Sequence, residues 1–276
     1  MPGSASLSDA REFATSVAGV VSRHGGAAAA DWAPGEVGVA PDPALSAALE
    51  ELGWDSLAED ASLVVCAGLG AVELGRRLAS MWHVDRLLGG SPAVDDLVRC
   101  VGPSTPAVVV RDGARRALLR AQRRPSADGL DVHQVLELGP AGDAVTAVAW
   151  DAWLAAGVGY LAGLGEEALG LTVDYARQRV AFGSTLAALA PVQQLLAGAA
   201  TAVRGVALLA GSGPADGDAL AHAGAAIAGA CAACQQVSGA IGFTLEYPLH
   251  RFTQRARALQ AWNEALLDGA AVSEPA

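Results

Sequence analysis

Between about residue 143 and residue 268 the chain consists of four long runs of Ala, Leu, Gly and Val, separated by short turn-rich stretches. Ala and Leu are among the strongest helix formers, so this half has few options other than helix. AVTAVAWDAWLAAGVGYLAGLGEEALGLTVDYARQR predicts one long helix, or two stacked end to end. ALAPVQQLLAGAATAVRGVALLAG predicts a second, with Pro191 suited to its first turn. After the loop GSGPADGD (211–218), ALAHAGAAIAGACAACQQVSGA predicts a third, and PLHRFTQRARALQAWNEALL, following Glu246, a fourth. Four long apolar helices on short connections read as an antiparallel bundle. The run 144–164 carries Asp151, 194–210 carries Arg204, and 219–241 carries His222, Gln235 and Gln236. They read as buried bundle helices packed through small residues rather than as membrane spans.

The N-terminal part is also helical, in shorter pieces. A helix is expected from Ser8 to His24, with Ser8 or Asp9 as its N-cap and Gly25-Gly26 as its stop. The Gly/Pro-rich stretch 33–43 reads as a loop. ALSAALEELGW (44–54) places Leu45, Ala48, Leu49 and Leu52 at helical spacing, and a third helix is expected over about 61–81. The middle changes character. PAVVVRDG (106–113) and VHQVLELG (132–139) are β-branched runs bounded by turn residues and read as strands, with PSADG after Arg124 as a solvated turn. The expected organisation is mainly α: an N-terminal helical domain (1–89), a shortened β-rich middle segment (90–145) and a C-terminal four-helix bundle (146–276).

Charge narrows the partners. The chain carries 18 basic residues, all Arg, against 29 acidic ones, for a net charge of −11. An acidic surface without a basic stripe repels phosphate backbones, so no nucleic-acid partner is expected. The start, MPGSASLSDAREF, lacks a basic segment followed by an apolar one, which points to a cytoplasmic protein. Cys66, Cys100, Cys231 and Cys234 then form no disulfide framework. Cys231 and Cys234 make a CxxC, but inside an Ala-rich helical run with no second such pair; they read as small core residues, and no metal site is expected.

Two stretches are more specific. DYARQRVAFGSTLAALAPVQQLLAGAA (174–200) carries Tyr175, Arg179, Phe182 and Gly183 in the pattern Y-x-x-x-R-x-x-F-G. QQVSGAIGFTLEYPLHRFTQRAR (235–257) carries Gln236, Gly239, Gly242, Phe243, Thr244, Glu246 and Pro248, close to Q-x-x-G-G-x-G-F-T-x-E-x-P. In this order and at this separation they resemble the C-terminal bundle of the acyl-CoA dehydrogenase family. LEELGW and VELGRRLA resemble its opening helices. The resemblance implies FAD lying across a subunit interface, with its adenine and pyrophosphate half gripped by the neighbouring chain. Arg179 would supply a fork to the pyrophosphate and Phe182 an apolar surface. Gln236 and the turn with Gly239, Ala240 and Gly242 would complete the cofactor contact, glycine letting backbone N–H groups approach phosphate. The alternatives are a surface helix Arg for Arg179 and a plain helix C-cap and turn for the glycines. Glu246 reads as a capping carboxylate for the next helix.

The departures carry as much meaning. Ala240 stands where the family has the second glycine, and Ala190 where it has a glutamine. The middle segment is about half the size of the family's β-barrel domain. The family's catalytic base falls at Asn263, and the position used by some members falls at Trp153; neither side chain can take a proton. Glu264 and Asp151 are the weak candidates nearby, one and two residues out of register. Each such offset turns a helical side chain by about 100° per residue. The resemblance therefore implies one subunit of a heteromeric acyl-CoA dehydrogenase, similar to actinobacterial pairs that act in steroid or unusual acyl-CoA breakdown. A second acyl-CoA dehydrogenase-like subunit would hold the flavin ring, the acyl-CoA and the base. The competing readings are a self-sufficient homodimeric enzyme and an FAD-free helical scaffold.

Overall fold

The structure, a computed structural model, describes residues 5–24, 41–102, 107–124, 130 and 132–268. The expected stop at Gly25-Gly26, most of the loop 33–43 and the turn PSADG lie outside the described residues.

Helix α1 (Leu7–His24) starts one residue earlier than the sequence suggested, and its cap, Ser6, lies two residues before Ser8. Ser6 accepts from the Asp9 N–H (3.2 Å) and Asp9 accepts from the Ser6 N–H (3.0 Å), a reciprocal capping pair that leaves Ser8 inside the helix. Helix α2 (Pro43–Glu51) starts at the cap Asp42. The helix expected over 61–81 is shorter: a 3₁₀ turn (Ala61–Leu63) leads into α3 (Val64–Arg76), and Leu78 then takes a left-handed φ of 51° that ends the run. A short α4 (Trp82–Asp85) follows.

The middle segment closes on itself. Strands β1 (Ser91–Val94), β2 (Leu97–Val98), β3 (Ala107–Arg111), β4 (Ala114–Arg123) and β5 (His133–Ala144) form a closed barrel in the order β1-β2-β5-β4-β3. All pairs are antiparallel except β1 with β3. Closure leaves no free sheet edge, and Ala93, Val98, Val109, Leu118 and Val135 fill a small core of its own.

The C-terminal half is the expected bundle. The first helix is one unbroken element, α5 (Ala147–Gln178), 32 residues or about 48 Å long, capped by Thr146. After a two-residue hairpin, β6 (Val180–Ala181) and β7 (Ser184–Thr185), come α6 (Ala190–Ala210) with Pro191 in its first turn, α7 (Gly217–Ser238) capped by Asp216, and α8 (Leu249–Asp268). The connections are short, so successive helices run antiparallel. The C-terminus of α5, the C-terminus of α7 and the start of α8 therefore share one end of the bundle.

Helix α3 packs along α5 at backbone contact. A Cβ built on Gly159 would lie 1.9 Å from the Gly68 carbonyl oxygen, and one on Gly163 2.0 Å from that of Val72. This seam joins the N-terminal helices to the bundle. Most of the apolar surface of α5 is inside, whereas α6 leaves most of its own exposed. By length and composition alone α5, α6 and α7 with the turn that follows it are each apolar enough to cross a membrane.

Candidate functional site

The first motif sits at the end of α5. Arg179 is the exposed residue after Gln178, its N–H bonded to Tyr175 O (2.8 Å) and its carbonyl accepting from Leu186 N (2.8 Å). Val180 and Ala181 pair with Thr185 and Ser184. The turn between them, Phe182-Gly183, has positive φ at both positions, 54° and 82°. Two-residue hairpins need that geometry, but a bulky side chain rarely adopts it. Phe182 is nonetheless 94% exposed, so the turn holds an aromatic ring out in solvent.

The second motif lies at the same end. Helix α7 stops at Gly239, whose φ of 64° and ψ of −145° suit glycine, and a 3₁₀ turn (Gly239–Phe243) follows. A Cβ on Gly239 would meet nothing within 4 Å, so that side is open to an approaching ligand. Gln236 and Ala240 are exposed, whereas Gly242 is buried against Ser238 and Gln235. Gln235 is buried and its Nε2 donates to Gly242 O (3.2 Å), fixing the shape of the turn. The Glu246 carboxylate is held by its own backbone N–H and by the Thr244 hydroxyl, which lowers its pKa. Tyr247 closes the gap between the motifs: its ring lies 5.9 Å from that of Tyr175, and its hydroxyl donates to Leu171 O (2.8 Å). Val180, Phe182, Ile241, Phe243 and Leu245 are all exposed around this end of the bundle.

Trp153 and Asn263, the two positions to which the sequence resemblance assigns the base, converge elsewhere, in a buried polar cluster. Trp153 Nε1 donates to Asp85 Oδ1 (2.9 Å), and Asn263 Oδ1 accepts from the Arg99 guanidinium (3.1 Å). Asp85 and Arg99 join the two halves as an ion pair, with Arg99 donating to Oδ1 (2.6 Å) and Oδ2 (3.0 Å) and the Cys100 thiol also donating to Oδ2 (3.0 Å). The side chains are 0% (Asp85) and 1% (Arg99) exposed. Burial opposes charge on Arg99, but the Asp85 carboxylate outweighs it and the guanidinium stays charged. The four lone-pair sites of Asp85 are taken by four donors, which leaves none to receive a proton from a substrate. Trp150, stacked on Trp153 with centroids 4.8 Å apart, packs beside the cluster.

The weak candidates stand apart from it. Glu264 is exposed and accepts from Gln260 Nε2 (2.9 Å), one turn back on α8. Asp151 is partly buried, and desolvation raises its pKa. Asp85, which sequence reading did not single out, is the carboxylate that meets the Trp153 position. Its partners Arg99 and Trp153 lie 14 and 68 residues away along the chain, and Asn263 lies a further 164 residues beyond Arg99, so no local motif marks it. Cys231 and Cys234 are buried, free thiols whose pKa values are raised by burial. Among the described residues no group of three or more His, Cys, Asp or Glu could hold a metal ion.

Residues 154–263 match the family described as Acyl-CoA dehydrogenase, C-terminal domain. No curated protein sequence matches the chain. Solved structures match over nearly its whole length. A variant of the Tcur3481–Tcur3483 steroid ACAD aligns with a TM-score of 0.64 at 17% identity, covering 95% of this chain and 97% of that one. The ChsE4–ChsE5 complex from Mycobacterium tuberculosis gives 0.65 at 15% identity, with 94% of each chain covered. A glutaryl-CoA dehydrogenase from Mycobacterium smegmatis in complex with FADH2 gives 0.58 at 13%, covering 94% of this chain and 92% of that one. The chain thus has the acyl-CoA dehydrogenase fold, and its residues 154–263 match the model of that family's C-terminal domain.

Proposed function

We propose that this chain is the non-catalytic subunit of a heteromeric, FAD-dependent acyl-CoA dehydrogenase, a cytoplasmic enzyme of fatty-acid or steroid catabolism. The observation that carries the reading is the buried cluster. Both positions that the resemblance assigns to the base carry side chains without base chemistry, Asn263 and Trp153, and both are tied into the Asp85–Arg99 ion pair. A proton abstraction needs an available base within about 3 Å of the substrate, and here the space is filled by a saturated ion pair and two stacked tryptophans. The chemistry then belongs to a second acyl-CoA dehydrogenase-like subunit, which would also hold most of the acyl-CoA.

What this chain offers lies at the other site. The residues there fit the adenine and pyrophosphate half of FAD. Arg179 is exposed at the helix end, Gly239 presents an open face, and Phe182 stands out as an apolar platform. Such a guanidinium can bond a pyrophosphate through two parallel N–H groups. The flavin of the bound cofactor would accept the β-hydride of the acyl-CoA. The exposed apolar side chains beside these residues, with Leu195 and Leu208 of α6, form the surface for the partner. An aromatic ring held out by a strained turn is the kind of anchor that dominates a protein interface.

The test is co-expression with candidate acyl-CoA dehydrogenase-like partner chains from the same source. The lone chain should purify without flavin and the pair should be yellow, with Phe182→Ser reducing recovery of the pair. Flavin retained by the lone chain would favour a self-sufficient enzyme, and flavin in neither preparation would favour a scaffold.

A further inference from the structure

We infer that Tyr247 is a positioning residue for the pyrophosphate grip, clamping its two halves at a fixed separation. The inference rests on the reading of Arg179 and the turn 239–243 as that grip. The halves belong to different helices. Arg179 and Phe182 hang from the end of α5, and Gly239, Ala240 and Gly242 follow α7. A phosphate held between them needs both at once, and a displacement of about 1 Å is enough to lose a charge-assisted bond.

Tyr247 is a side chain that ties them close to the grip. Its hydroxyl donates to the Leu171 carbonyl (2.8 Å), eight residues before Arg179, and its ring lies against Tyr175, four residues before it. Both contacts fall on the last turns of α5, on one helical face. From its other side Tyr247 is anchored by its carbonyl, 2.8 Å from His250 Nδ1 in the first turn of α8. Gln235 does the matching work within the turn, bonding α7 to Gly242 O at 3.2 Å. Helices α5 and α7 also pack directly on each other; Tyr247 adds a tie from the last turns of α5 to the chain just after the turn, in the order Arg179–α5–Tyr247–turn–Gln235–α7. Half-buried, it can lose its hydroxyl without opening the core.

The experiment is a double-mutant cycle on the complex with its partner subunit. The flavin is removed and FAD is titrated back, with affinity followed by flavin fluorescence. Tyr247→Phe keeps the ring and deletes one neutral hydrogen bond, so FAD affinity should fall about 3- to 10-fold. Tyr175→Leu, which removes the ring contact from the other side, should act in the same direction. In an Arg179→Ala background the Tyr247→Phe effect should shrink below about twofold, because the group it positions is gone. A residue that only stabilised the fold would cost the same in both backgrounds, and that result overturns the inference. So does parental affinity in Tyr247→Phe when Arg179→Ala alone weakens binding. Parental FAD affinity in Arg179→Ala refutes the grip itself and takes the inference with it.

Discussion

Replacing Asp85 by Asn would test the buried cluster most directly. The change is nearly isosteric, so it removes charge while leaving shape. Arg99, 1% exposed, would then be a buried cation without its counter-ion, while its contact with Asn263 is neutral. Breaking a buried pair by removing one partner costs about 3–5 kcal/mol. A domain has only about 5–15 kcal/mol of stability, so this single amide would consume a large fraction of it. At about 2–4 °C per kcal/mol for chains of this size, the unfolding midpoint should drop by roughly 6–20 °C. The double change Asp85→Leu with Arg99→Met removes both charges together and should recover most of the loss, since apolar replacement of a buried pair is often neutral or stabilising. Thermal unfolding followed by circular dichroism reads both. If Asp85→Asn unfolds within about 2 °C of the parent, the pair is not isolated from water as described. If the double variant is as unstable as the single one, its worth lies in shape rather than in charge compensation.

Other outcomes follow from the same structure. His83 is buried and its pKa is pushed down from 6.5 to about 3 by burial and then by Arg86. The folded state therefore resists a proton that the unfolded chain takes up below pH 6.5, so stability falls as pH drops from 6.5 towards 3, by about 1.4 kcal/mol per unit. His83→Leu should flatten that part of the pH–stability curve, and an unchanged slope would rule His83 out as its source. Gly159→Ala should destabilise by about 1–3 kcal/mol or more, because the new methyl would meet the Gly68 carbonyl at 1.9 Å, whereas Gly170→Ala on the same helix meets nothing and should be neutral to stabilising in denaturant titrations. Glu264→Gln and Asp151→Asn should each leave turnover of the complex within a few-fold of the parent; loss of a true base costs about 10²–10⁴-fold, and a drop of that size in either would place the active site in this chain.

The helical half was legible because its residues agree with its structure at every level. Pro191 sits in the first turn of α6, and the Ala-rich runs become α5, α6 and α7. The barrel was half legible. β3 and β5 announce themselves through Val108, Val109, Val110 and Val135. The strand between them, ARRALLRAQR, is written in residues that favour helix. It is a strand because it lies between two others, with Val109 opposite Arg116 and Leu118 opposite Leu138. Tertiary pairing overrides local preference there. β1 and β2, four and two residues long, are too short to show a period. At the site, the motif residues could be named from the chain alone, but the Asp85–Arg99 pair could not, since its meaning comes from two tryptophans and an asparagine that only the fold brings near.

The backbone seam between α3 and α5 has a consequence for entropy. Glycine and alanine have no rotamers to lose when they are buried, whereas longer side chains lose up to about 2 kcal/mol each. Docking the N-terminal helices through Gly68, Gly75, Gly159 and Gly163 therefore freezes almost no side-chain motion, which compensates for the small apolar area such residues cover. The same contact leaves no slack. A slip of one residue would bring a Cβ against a carbonyl, so the two helical layers cannot glide past one another. In the proposed assembly, any opening needed to admit a substrate would have to come from the barrel or from the boundary between subunits.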